Sequence, residues 1–78
     1  MLIDITKMKE GQTGIVRDFI GGHNFLERVQ NMGIRKGKTI KKISSHFWHG
    51  PQTVEVDNIC IAIGYGMAKK IIVEVPDR

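Results

Sequence analysis

Asn24-Phe-Leu-Glu-Arg-Val-Gln-Asn-Met-Gly-Ile-Arg-Lys-Gly37 is the stretch on which the fold turns. Phe25, Leu26, Val29 and Met32 recur at the helical period and line one face. Glu27, Arg28, Gln30 and Asn31 fall on the wet side. Asn24 reads as the N-cap with Glu27 at the third helical position, an Asn variant of the capping box. Gly33 follows the last apolar position and reads as a left-handed stop. Ile34-Arg35-Lys36-Gly37 is then a basic turn into a strand. A helix this short is marginal in isolation, so it must be held by packing on a sheet.

Outward from that helix the chain reads as strand. Gly11-Gln12-Thr13-Gly14 leads into Ile15–Ile20, a β-rich run ended by Gly21-Gly22. Lys38–His46 is the second strand. Its apolar Ile40 and Ile43 have opposite parity, which predicts a bulge or strong bend. Thr53-Val54-Glu55-Val56 alternates with both valines inward. Asp57-Asn58 suits a two-residue hairpin turn, because both residue types tolerate positive φ. Ile59, Ile61 and Ile63 share one face of a fourth strand. Gly64–Ala68 is a short turn with room for one helical turn, and Lys70–Val75 is the last strand. The reading is mainly β: a small barrel or sandwich of about five strands with one short helix after the first, closure removing exposed edges.

Seventy-eight residues bound this to one domain, residues 1–78. A domain of that size buries only roughly 60–65% of the surface its unfolded chain exposes, so the core is one small cluster. Twelve Lys and Arg against eight Asp and Glu give a net charge of +4. That charge is compatible with nucleic acid, an acidic protein or an anionic membrane and selects none of them. The single cysteine, Cys60, excludes an internal disulfide framework and a Cys-x-x-Cys metal site. Within a strand-like apolar run it reads as a small buried hydrophobe. A free thiol without staples fits a reducing cytoplasm. The first residues are charged too soon for a signal peptide, and the longest apolar run, near Ile59–Ile63, is too short to span a bilayer, so no direct membrane insertion is expected and any membrane role would come through a partner.

No Ser/His/Asp set, paired-carboxylate set or Cys/His pair is suggested by spacing, and Gly64-x-Gly66 lacks the Gly-Lys-Ser/Thr that completes a phosphate loop. An enzyme is therefore not expected. His46 and His49 are candidate ligands for a weak divalent metal, Fe(II) or Zn(II). On a strand their spacing puts them on opposite faces, so a shared ion needs a turn beginning near Phe47, with Asp57 or Cys60 as further ligands. Phe47 and Trp48 flank the loop. Each either packs in the core or points outward as a contact anchor. Arg35, Lys36, Lys38, Lys41 and Lys42 form a basic edge suited to an acidic partner, or a solvated face that discourages edge pairing. Arg35, Lys36 and Trp48 are the candidate partner-binding residues.

Gly11-x-x-Gly14-x-Val16, then Leu26-x-x-x-x-x-Met32-Gly33-Ile34-Arg35-x-Gly37, then Gly50-Pro51 before Val54-x-Val56, Ile61-Ala62-Ile63, Ala68 and Ile71-x-Val73 stand in a family order and spacing. Together they resemble the FeoA family, ferrous iron transport protein A, over nearly the whole chain. The resemblance implies an SH3-like barrel without a required cofactor. It also implies an accessory role in the cytoplasm, binding the cytosolic part of FeoB, the ferrous iron permease. His49 where the family usually has glycine, Gly64-Tyr65-Gly66, and Phe47-Trp48 depart from its pattern. Gly11-x-x-Gly14-x-Val16 also resembles small barrels of some ribosomal and elongation proteins, which keeps nucleic-acid binding as an alternative. The aromatics are too sparse among the basic groups for a stacking platform. A direct metal sensor or chaperone is the third reading, and self-association of small open-edged barrels is left open.

Overall fold

A computed structural model of the chain describes residues 1–77. The strands are β1 (Leu2–Asp4), β2 (Thr13–Phe19), β3 (Thr39–Ser45), β4 (Gln52–Val56), β5 (Ile59–Ile63) and β6 (Ile71–Glu74). Helix α1 (His23–Asn31) follows β2, and the single turn α2 (Tyr65–Ala68) follows β5. A 3-10 turn, Ile5–Lys7, links β1 toward β2. The six strands form one sheet in the order β1-β6-β2-β3-β4-β5, with every pair antiparallel.

The strand missed from sequence is β1, where Leu2, Ile3 and Asp4 pair with Glu74, Val73 and Ile72. Only three residues take part, too few to show an alternating pattern. Two bulges curl the sheet around its core. One lies in β2 between Val16 and Asp18, and the other in β3 between Lys42 and Ser44. The β3 bulge is the one that the opposite parity of Ile40 and Ile43 predicts. Ile40 goes to the core, while Ile43 is turned toward solvent.

Ile5, Val16, Val29, Ile34, Ile40, Val54, Ile63, Ile71 and Val73 have no exposed surface and make up most of the core. Helix α1 contributes Val29 directly, with Phe25 and Met32 packed around it. Phe25 meets Phe19 edge-on at 6.5 Å between centroids. The helix begins two residues earlier than the Asn24 cap predicts. Gly22 is the N-cap, no side chain caps the first turn, and Asn24 lies inside the helix. Its C-terminus matches the expectation from Gly33. The Gly33 N–H donates to the Gln30 carbonyl at 3.0 Å, and the Ile34 N–H donates to the Val29 carbonyl at 3.1 Å. That is a Schellman motif, with Gly33 at φ +92° and its hydrophobic partners Val29 and Ile34 both buried.

Asp57 and Asn58 have φ of 51° and 67° and join β4 to β5 as a tight hairpin. Cys60 is exposed, contrary to its reading as a buried hydrophobe. It occupies the parity opposite to Ile61 and Ile63 on β5, which lies at the end of the sheet order. The architecture is a small SH3-like β fold, with α1 laid over its core.

Candidate interaction surface

The β3–β4 connection carries the most exposed large side chains. Trp48 is 97% and Phe47 91% exposed, so both point outward and neither packs in the core. Trp48 and His49 lie in left-handed backbone, at φ 58° and 60°. That conformation costs a bulky L-residue roughly 1–2 kcal/mol each, so the loop must be held from outside. Gly50 closes the turn by donating to the Phe47 carbonyl at 3.2 Å, and His46 donates to Pro51 across it. A Cβ on Gly50 would stand 2.6 Å from the His46 Cβ. Beneath the turn, Gln52 is almost fully buried. Its amide donates to the Gly50 carbonyl at 3.1 Å and accepts from the Ser45 hydroxyl at 2.9 Å. Gln52 sits on the inward parity of β4 with Val54 and Val56, a signal that the sequence already held.

His49 stacks on Tyr65 of α2, with ring centroids 4.3 Å apart and 17° between planes. The Lys69 ammonium lies 5.8 Å from the Tyr65 centroid. The turn that a shared metal needs is therefore present at Phe47, but it commits the His49 ring to Tyr65. Neither Asp57 nor Cys60 joins the two histidines. Among the described residues no group of three or more His, Cys, Asp or Glu side chains is placed to hold a metal ion.

Arg35 and Lys36 lie exposed in the turn after α1, with Gly37 donating to the Val16 carbonyl at 2.8 Å. The length of β3, about 20 Å at roughly 3.3 Å per residue, separates them from Trp48. The three candidate partner-binding residues thus form two surfaces, a basic turn at one end of β3 and an aromatic tip at the other. This separation also disfavours a nucleic-acid platform, which needs bases stacked between cations. Lys38 pairs with Asp57 at 2.8 Å and Lys36 reaches Asp18 at 3.7 Å. Among the described residues no carboxylate pairs with Arg35.

Lys42 does not belong to the basic edge. It shares the inward parity of Ile40, ahead of the bulge, and has no exposed surface. Its ammonium donates to the Ile5 carbonyl at 2.8 Å and the Met8 carbonyl at 3.2 Å. Burial pushes its pKa below the ordinary value of 10.5, while Asp4 and Glu10 pull it back up. On the outer sheet face, a groove of about 410 Å³ is walled by Thr13, Ile15, Thr39 and Pro76 and by the Arg17–Glu74 ion pair. No helix among the described residues is long and apolar enough to cross a membrane.

Residues 3–75 match the FeoA domain family. A Methanocaldococcus jannaschii protein provisionally named Fe(2+) transport protein A is 38% identical over 66 residues, spanning 85% of this chain and 78% of that protein. The crystal structure of an iron uptake regulatory protein, FeoA, superimposes with a TM-score of 0.89 at 35% identity, covering 95% of this chain and 97% of the other. A manganese-dependent transcriptional repressor carries the same fold in part of its length. Its TM-score is 0.87 at 18% identity, over 96% of this chain and 42% of the repressor.

Proposed function

The chain belongs to the FeoA family of ferrous iron transport proteins, and from that premise we propose that it is a non-enzymatic regulatory module that binds the cytosolic part of a FeoB-type permease. The observation that carries the reading is the family match across residues 3–75, which takes in both helices and all of the strands except Leu2 of β1. The basic turn supports it. Arg35 and Lys36 are exposed on a turn fixed at both ends, by the Schellman motif before it and by the Gly37–Val16 hydrogen bond after it. Pre-ordered cations of this kind steer an acidic partner and fix its orientation. Trp48 lies at the far end of β3 and is not part of this basic surface.

Titration of the permease's cytosolic region into this chain, under reducing conditions and without lipid, tests the reading. Binding is expected, with an affinity that falls about tenfold in an Arg35→Glu, Lys36→Glu double variant and a difference that narrows as salt is raised. No binding with or without guanine nucleotide and Fe(II) would sink it.

A further inference from the structure

We propose that the Phe47–Trp48 tip is a membrane-interface anchor that seats this end of the protein on an anionic bilayer. Three observations lead there. First, the two aromatic side chains are almost wholly exposed at the apex of a turn whose neighbours are polar: Ser44, Ser45, His46, His49 and Gln52. Protein hot spots sit centrally within a broad patch that excludes water around them. An isolated Phe-Trp apex on a polar stalk instead suits the headgroup region, where an aromatic ring enters and its polar surroundings stay wet.

Second, the display is built. Trp48 and His49 are held in left-handed backbone by the buried Gln52 below and by the His49–Tyr65 stack beside them. A loop with no task for Trp48 has no need of this conformation.

Third, the charge around the tip matches an anionic surface. No Asp or Glu occurs from Lys42 to Val54 or from Ile61 to Ala68, the strand ends and turns next to the tip. Lys69 lies over Tyr65, next to His49. Helix α2 packs on the 3-10 turn that carries Lys7, with Lys9 just beyond it. The acidic residues there are Asp4, whose side chain is turned back to cap the 3-10 turn, and Glu10, and both raise the pKa of the buried Lys42. Cations flanking an aromatic apex add attraction to anionic lipid within a Debye length of the surface.

Trp48 is the only tryptophan, so its emission reports the tip directly. The experiment adds the full chain to vesicles of phosphatidylcholine with about a third phosphatidylglycerol. A blue shift, quenching by brominated acyl chains and loss of quenching by aqueous iodide are expected. Co-sedimentation should fall about tenfold or more in a Phe47→Ser, Trp48→Ser variant, and less steeply in Lys69→Glu or with phosphatidylcholine alone. Far-UV circular dichroism checks that the double variant keeps its fold. Unchanged Trp48 emission at saturating lipid, or undiminished sedimentation of the double variant, overturns the proposal. So does a shift produced only by the permease's cytosolic region, since the tip would then be a protein contact. The lipid-free titration through Arg35 and Lys36 stands or falls separately.

Discussion

The Lys42 ammonium, fully buried, donates at 2.8 Å to the Ile5 carbonyl and so ties the middle of β3 to the 3-10 turn near the chain start. Its second bond, to Met8, closes the same turn from the other side. Lys42→Ala removes both bonds and leaves a cavity, at an expected cost of about 2–4 kcal/mol in urea unfolding. Lys42→Met keeps the volume and should cost only about 1–2 kcal/mol.

The same residue gives a pH signature. Its folded pKa lies below the ordinary 10.5, so between the two values the unfolded chain binds more protons than the native one. This group's contribution to stability therefore rises as pH climbs through that window. Below the folded pKa the full cost of burying the charge is felt. The difference in stability between wild type and Lys42→Met should widen toward alkaline pH, as followed by urea midpoints. A gap that narrows there would show that the ammonium is not desolvated.

Gly33 at φ +92° closes the Schellman motif of α1. Open space surrounds the position where a Cβ would stand, so Gly33→Ala meets no clash and suffers only from backbone conformation. A loss of about 1–2 kcal/mol is expected from thermal or urea unfolding. Asn31→Ala, on the exposed last turn, should change stability by less than about 0.5 kcal/mol.

Asn58 at φ 67° holds the second position of the β4–β5 hairpin. Asn58→Gly converts Asp-Asn to the more favourable Asp-Gly and should stabilise the fold by a few tenths of a kcal/mol, up to about 1. A lowered melting temperature would mean that the Asn58 side chain does more than tolerate the turn.

Cys60 is exposed on β5. It should be titrated completely by a thiol reagent such as dithiobisnitrobenzoate without denaturant, at a rate unchanged by conditions that alter global stability. Slow reaction limited by unfolding would place the thiol inside instead.

The helix and its stop were legible in the sequence because they rest on local chemistry: an apolar face at Phe25, Val29 and Met32, and a glycine placed to turn left-handed. The Asp57-Asn58 hairpin and the β3 bulge were legible for the same reason. The Asn24 cap misled because a side chain able to cap does not fix where the helix begins, and the glycine at position 22 took that role. Lys42 and Cys60 were misassigned because residue type was weighed above strand parity. Lys42 shares the inward side with Ile40, and Cys60 the outward side of β5. The tip was legible only as an open choice between core and solvent. Its stacking of His49 on Tyr65 joins the β3–β4 turn to α2 and leaves no mark in local sequence.

Where the fold starts and where β6 finishes are the same place in space. Met1 and Val75 exchange two backbone hydrogen bonds, at 3.0 and 2.9 Å, and the Met1 ammonium meets Asp77 at 2.8 Å. Tension applied through residues 1 and 77 would peel β1 from β6 one hydrogen bond at a time, because an antiparallel pair loaded at a shared end unzips rather than shears. The first mechanical yield should come at low force and release β1, and with it the 3-10 turn that Lys42 holds. An anchored tip and a pulled seam would make this small sheet open from its ends before its core gives way.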